Sequence, residues 1–180
     1  NIHNEILELI KHSSVLNSND VIPLLACVQN KQRMENILSA WKVDTIYHAA
    51  AYKHVPLVEE NPVSSVKNNV IGTLNLTKEA KINNVKTFVL ISSDKAINPT
   101  NIMGASKRLC EMIVQAFSIK NINGINKEQN FCSVRFGNVL NSSGSVVPIF
   151  SKQISSGGPV TVRHKNVSRY FMTIPEASEL

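Results

Sequence analysis

Apolar positions along the chain recur with two periods. Ile2, Ile6, Leu7, Leu9 and Ile10 sit at roughly helical spacing over residues 1–11, with acidic residues between them. Residues 17–20 read as a turn and residues 21–28, VIPLLACV, as a strand. Asn30 suits the N-cap of a helix over 31–41, whose Met34, Ile37, Leu38 and Trp41 share one face. Residues 43–48 form the next strand, and 52–56 a loop with two basic groups. A helix over 62–81 turns Val63, Val66, Val70, Leu74 and Leu76 inward and closes at Asn83-Asn84. Asn68 and Asn69 in its middle are poor helix formers, and read either as a polar task facing a crevice or as plain surface. A strand over 88–92, a helix over 102–119, an Asn-rich surface loop over 120–130 and a strand over 131–136 follow. Residues 137–145 are a Gly/Ser/Asn loop, 147–155 a short helix, 157–159 a turn and 160–162 a short strand. Residues 169–180 pass from a strand into the start of a helix, and nothing repeats.

Strands separated by single helices imply crossover connections, hence an α/β fold with a parallel sheet and helices on both faces. In such open sheets ligands bind outside the carboxyl ends of the strands. That rule directs attention to 92–108, SSDKAINPTNIMGASKR, which follows the apolar run 88–91.

Composition narrows the partners. The chain has 180 residues, 43% hydrophobic, with net charge +6, which favours an anionic ligand. The basic residues are scattered and aromatics make up only 6%, so nucleic-acid binding is not expected. Cys27, Cys110 and Cys132 match no metal or disulfide spacing and read as reduced thiols; no metal site is expected. There is no signal peptide and no apolar run of membrane-spanning length. The first residue is Asn rather than Met, so the chain is expected to be a segment of a longer protein.

The 92–108 stretch has chemistry of its own. Met103 and Lys107 are four residues apart on a helix and share a face. A thioether has no proton to transfer, so acid–base work there falls to Asp94 and Lys95. Taken alone, these residues read better as a surface ion pair and a core methionine than as a reacting centre. Ala49-Ala50-Ala51, directly after a strand, suits either close approach of a ligand or tight helix packing.

A wider set of motifs decides between these readings. HAAAYKHVPLVEENP (48–62), VKNNVIGTLNL (66–76), SSDKAINPTNIMGASKR, VRFGNVL (134–140), GSVVPIF (144–150), GGPVTV (157–162) and RYFMTIPEA (169–177) occur in that order. Together they resemble the CapD-like nucleotide-sugar 4,6-dehydratases of bacterial polysaccharide biosynthesis, which are extended short-chain dehydrogenase/reductases. Met103 in place of the superfamily's tyrosine is similar to the larger, membrane-anchored branch, whose typical substrate is UDP-N-acetylglucosamine.

The resemblance implies a Rossmann-like domain over residues 1–180, N-terminally truncated: the first βαβ with its glycine-rich loop and the C-terminal substrate lobe lie outside it. It implies NAD as cofactor, a nucleotide-diphosphate sugar as substrate and an internal redox cycle: oxidation at C4, loss of the C5 proton and the C6 hydroxyl, and return of hydride to C6. By position it makes Lys95 the C5 base, Asp94 the acid for the leaving hydroxyl and Ser93 a partner of the C4 oxygen. Met103 occupies the tyrosine position, and Lys107 holds the cofactor ribose. Cys27, Ala49, Ala50, Ala51, Tyr52, Lys53, Asn69 and Ser92 are implied on the cofactor side. Lys53, His54, Asn138, Ser145 and Arg169 are implied on the substrate side, Arg169 as a partner of the diphosphate. The full-length protein is expected to be a homo-oligomer on the cytoplasmic face, anchored by segments outside this chain. An epimerase on the same scaffold and a non-catalytic binding module are the competing readings.

Overall fold

The computed structural model describes residue 8 and residues 21–118, 129–140, 142, 146–162 and 164–180. Helix α1 (Lys31–Trp41) begins where Asn30 caps it, the Asn30 side chain accepting from the Arg33 N–H at 3.0 Å. Strand β1 (Thr45–His48) follows, then a short helix α2 (Val55–Glu60). A longer helix, α3, runs through Pro62–Ser65, a π-helical segment Val66–Ile71 and Gly72–Ile82. Strand β2 (Thr87–Ser93) ends in a 3-10 turn, Asp94–Ala96, and helix α4 spans Ile102–Ser118. After it come β3 (Asn130–Phe136), β4 (Asn138–Val139), α5 (Val146–Ser155), β5 (Phe171–Met172) and α6 (Ile174–Ser178).

β1, β2 and β3 form a parallel sheet in that order. The register aligns Ile46, Phe88 and Phe131 across it, and one step on His48, Leu90 and Ser133. This face packs on α1, α3 and α4 through Met34, Leu38, Leu76, Ala80, Cys110 and Val114. Phe88 is fully buried, with its ring 5.4 Å from Phe131 and 5.9 Å from His48. Burying side chains of this size contributes roughly 1.5–3 kcal/mol each. β4 and β5 pair in parallel as a separate two-stranded sheet, Asn138 opposite Phe171.

Four expectations are corrected. Residues 21–28 form no strand: Pro23 removes a donor, no described strand pairs with the segment, and Leu25 is 97% exposed. Residues 160–162 likewise pair with nothing described and are extended coil. The loop expected at 52–56 gives way to α2 at Val55, where Pro56 supplies the fixed φ suited to a first turn. The inward face of α3 differs in part: Val63 and Val66 are exposed, whereas Leu76 is buried and Val70 packs against the core as expected. Ser65, Asn69, Gly72, Thr73, Thr77 and Ala80 face inward as well. The π segment shifts the phase of the helix. Thr73 and Thr77 are tolerated inside because each hydroxyl donates to the carbonyl four residues back, at 2.5 and 2.7 Å. The expected helix over 1–11, the turn at 17–20 and most of the 120–130 loop lie outside the described residues, Glu8 being helical.

Close approaches fix α3 and α4. A Cβ on Gly104 would clash with the Lys95 carbonyl oxygen, so this first turn of α4 rests directly on the turn that carries Asp94 and Lys95. A Cβ on Gly72 would meet only the Val28 side chain, at 2.7 Å. Gly104→Ala is therefore expected to lower the unfolding free energy of the full-length protein by about 1–3 kcal/mol and Gly72→Ala by less. Thermal unfolding of both variants checks this, and equal midpoints would contradict it.

Candidate active site

The parallel register brings three strand ends together. β1 stops at His48, opposite Leu90, and Ala49, Ala50 and Ala51 leave the sheet there. β2 continues to Ser93, which pairs with Phe136, so Gly137 and Asn138 leave β3 beside Asp94. The short β4–β5 ladder then holds Asn138 next to Phe171, two residues beyond Arg169. The Asn138 N–H donates to the Tyr170 carbonyl at 2.9 Å, and a Cβ on Gly137 would sit 2.9 Å from that oxygen. The result is one open crevice at the carboxyl ends of the strands.

Asp94 and Lys95 stand at its centre as an ion pair, Lys95 Nζ to Asp94 Oδ1 2.9 Å, each side chain about one-third exposed. Ser93 Oγ donates to the same oxygen at 2.9 Å and accepts from the Lys95 N–H at 3.2 Å. Partial burial disfavours the Asp94 carboxylate, but the hydrogen bonds from Lys95 and Ser93 outweigh it and hold the carboxyl below its ordinary value.

α4 supplies the floor. Its first turn is capped twice: Glu59 Oε1 accepts from the Ile102 N–H at 2.6 Å, and Asn101 Oδ1 from the Gly104 N–H at 2.8 Å. Met103 is buried, 3% exposed, and Lys107 lies one turn on. Lys107 Nζ donates to the Ile91 carbonyl of β2 at 2.8 Å. Desolvation pulls its pKa down, while Cys110 and Glu111 oppose the fall. Among the described residues one of the three ammonium donors is engaged, so two suit a ribose diol, and the donor set fits the NAD-holding role implied for Lys107.

Among the residues implied for the cofactor, Asn69 is fully buried in the π segment. Its Oδ1 accepts from the Tyr52 N–H at 2.8 Å, and its Nδ2 donates to the Tyr52 carbonyl at 3.2 Å and to Ser106 Oγ at 3.0 Å. Asn68 Nδ2 in turn donates to Asn69 Oδ1 at 3.1 Å. The pair therefore clamps the loop after β1 to α4. Tyr52, Lys53, His54, Ala49 and Ala50 are exposed on this loop and Ala51 is half-buried. Cys27 is exposed on the segment before α1, and Arg169 is exposed with Nη1 on the Ser168 carbonyl. Ser145 lies outside the described residues.

Ser92 faces away from the crevice. It is 5% exposed, and its Oγ donates to Glu111 Oε1 at 2.6 Å. Glu111 was not legible as a site residue. Its spacing of four after Lys107 is the only signal in the sequence, and a lone Glu in an amphipathic helix ordinarily faces water. Here it is buried, 4% exposed, and accepts from Arg135 Nε at 2.8 Å, Arg135 Nη2 at 2.6 Å and Arg108 Nη1 at 3.0 Å. Burial works against its charge, but the bonds from Arg135, Ser92 and Arg108 bring its pKa down to about 2. A cavity of about 190 Å³ lies beside this cluster between α4 and β3, and a larger one, about 440 Å³, lies at the opposite end of the sheet under Lys42–Asp44 and Ile82–Asn84. Neither is at the strand ends, which form an open crevice rather than an enclosed pocket.

Comparison with known proteins matches this arrangement to a family. A family model described as "Polysaccharide biosynthesis protein" matches residues 1–180. The capsular polysaccharide biosynthesis protein CapD of Staphylococcus aureus is 52% identical over 89% of this chain. A UDP-N-acetylglucosamine 4,6-dehydratase (inverting) of Campylobacter jejuni is 36% identical over 94% of it. The chain spans only 26% and 50% of those two relatives. The crystal structure of DesIV, a dTDP-glucose 4,6-dehydratase from Streptomyces venezuelae with NAD and TYD bound, superposes with a TM-score of 0.80. It covers 98% of this chain and 56% of its own at 18% identity, a likeness of fold that places the sheet and helices in the Rossmann-like class.

The buried His48 sets a pH dependence. Its Nε2 lies 2.8 Å from Thr73 Oγ1, whose proton goes to the Asn69 carbonyl, so Nε2 carries the imidazole proton. Burial, and to a lesser degree the Lys107 charge, lower its pKa from 6.5 to about 4. The unfolded chain therefore takes up a proton before the folded one as the pH falls. The contribution is intact above pH 6.5 and is lost toward pH 4, amounting to about 3 kcal/mol. Urea midpoints of the full-length protein should fall over that range, and His48→Gln should flatten the fall; an unaltered slope would contradict the assignment.

Proposed function

The chain belongs to the polysaccharide biosynthesis protein family, and from that premise we propose that the full-length protein is an NAD-dependent lyase. On this reading it dehydrates a UDP-N-acetylhexosamine, of the UDP-N-acetylglucosamine kind, to its 4-keto-6-deoxy derivative. The observation that carries this reading is the Asp94–Lys95 ion pair at the end of β2, with a buried methionine where a proton-transferring tyrosine would otherwise stand.

NAD, when bound, supplies the hydride acceptor for C4 and the donor for C6. Lys107 would hold its ribose, and Ala49, Ala50, Ala51, Tyr52 and Lys53 of the loop after β1, which Asn69 keeps in place, would line the cofactor side. Cys27 and Ser92 belong to the same side, Ser92 through its bond to Glu111 rather than by direct contact. Ser93 meets the C4 oxygen. Asn138, Lys53, His54, Ser145 and Arg169 meet the sugar nucleotide, with the Arg169 fork suited to a diphosphate.

The proton bookkeeping follows from the pair. Without substrate Asp94 is held as a carboxylate in its ion pair with Lys95. Transfer across the 2.9 Å contact gives a neutral lysine and a neutral carboxylic acid at no change in net charge. Substrate covering the crevice removes water, which favours the neutral pair over the ionic one. Lys95 then takes the C5 proton and Asp94 protonates the departing C6 hydroxyl. When hydride returns to C6, Lys95 gives a proton to C5, and the proton freed from the C4 hydroxyl on oxidation, leaving by way of Ser93 and solvent, makes good that loss. A 4-epimerase on the same scaffold has no use for acid and base at C5 and C6.

On the same reading the full-length protein would act at the cytoplasmic membrane face as a homo-oligomer, held by segments outside this chain. Among the described residues no helix is long and apolar enough to cross a membrane.

Incubation of the full-length protein with UDP-N-acetylglucosamine is expected to give a 4-keto-6-deoxy product, detected as loss of one water by mass spectrometry. Lys95→Met is expected to reduce turnover by at least about 10³-fold while leaving NAD affinity within a few-fold. A 4-epimer without water loss would refute the dehydratase reading, and persistent turnover in Lys95→Met would refute the base assignment.

A further inference from the structure

Glu111 lies outside the crevice, yet its carboxylate is buried and bonded from three elements. Four hydrogen bonds reach its carboxylate, from Ser92 on β2, Arg108 on α4 and both the Nε and Nη2 of Arg135 on β3. Ser92 immediately precedes Ser93-Asp94-Lys95. Arg135 is followed by Phe136, Gly137 and Asn138. Lys107 lies one helical turn before Glu111. A single buried carboxylate thus ties together the three segments that deliver the acid–base pair, the ribose lysine and Asn138.

We propose that Glu111 is a positioning residue for the dehydration: it holds the end of β2 and the Lys107 turn of α4 in reacting register and supplies the fixed negative charge that keeps the buried Lys107 ammonium in place. This rests on the function proposed above. The fork-to-carboxylate contact with Arg135 fixes direction as well as distance, which a single-point contact does not. The Ser92 bond, at 2.6 Å, joins the helix to the strand end directly. The groups facing Lys107 are Glu111 and Cys110 from its own helix and His48 from β1. Glu111 is the one among them that stays negatively charged near neutrality.

A purely structural ion pair makes a different prediction. Buried ion pairs are commonly replaced by apolar residues at little cost in stability, whereas removing one partner is costly. The test therefore compares Glu111→Gln with the double variant Glu111→Met/Arg135→Met in the full-length protein. Three readouts are followed: thermal midpoint, kcat and KM with UDP-N-acetylglucosamine, and labelling of Lys107 by acetic anhydride at pH 8, read by mass spectrometry of its peptide. Glu111→Gln is expected to lower kcat by about tenfold or more with KM changed less than threefold. It is also expected to raise Lys107 labelling several-fold, because an ammonium without its counter-charge gives up its proton more readily. The double variant is expected to recover the thermal midpoint but neither kcat nor the labelling pattern.

Recovery of kcat in the double variant would overturn the proposal. So would Lys107 labelling that neither variant alters. The labelling needs no substrate, so it tests Glu111 even if the wild-type protein proves not to be a dehydratase, and wild-type turnover tests the reaction independently of Glu111.

Discussion

A carboxylate can stay ionised out of water only where enough donors meet it, and Glu111 imposes that condition on this fold. Arg135 and Ser92 must arrive from two different strands, and Arg108 from the same helix, for the charge to be tolerated. Satisfying them leaves α4 little freedom over the sheet. Once α4 is so placed, Gly104 comes onto the Lys95 carbonyl with no room for a side chain, and Lys107 comes within reach of the Ile91 carbonyl. The chemical groups at the end of β2 and the lysine beneath them thus owe their relative positions to a residue that touches neither crevice nor ligand.

The second constraint is the π segment of α3. It turns a face of Asn, Thr and Ser into the protein where an ordinary amphipathic helix would put Val and Leu. Each of these polar groups is accounted for except Ser65 Oγ, which is buried without a partner among the described residues. The Asn69 carbonyl takes the Thr73 hydroxyl and the Cys110 thiol, while its side chain closes on both backbone groups of Tyr52. The loop that carries the small residues after β1 is therefore held from behind, so it can remain open toward a ligand without being loose. His48, neutral and hydrogen-bonded to Thr73, completes the same network from the strand side.

Much of this was legible in the sequence because the signals were local. The Asn30 cap, the apolar face of α1, the buried runs of β2 and β3 and the start of α4 after Asn98-Pro99 follow from propensity and period, and the structure places them within a residue or two. Parallel order alone brought the ends of β1, β2 and β3 to one side of the sheet, while the particular residues there came from the family resemblance. What was missed depended on partners. Residues 21–28 have strand-like composition, but composition does not supply a neighbouring strand. Val63 and Val66 of α3 are outside while Val70 packs on the core, because a π turn shifts the helical phase, which no periodicity count anticipates. Asn69 was open between crevice and surface, and proves to be a buried clamp. Glu111 carried no signal of burial, since its arginine partner Arg135 lies 24 positions away in the chain.

The fate of isotopes in the reaction tests the dehydratase account most directly. UDP-N-acetylglucosamine carrying deuterium at C4 would be turned over by the full-length protein in ordinary water, and the unlabelled sugar in heavy water, with each product read by NMR. An internal redox cycle with a protein base predicts that the C4 deuterium reappears at C6 in the first experiment and that a solvent deuteron enters C5 in the second. Deuterium retained at C4 of an inverted sugar, with no solvent label at C5, would show an epimerase and contradict the roles assigned to Asp94 and Lys95.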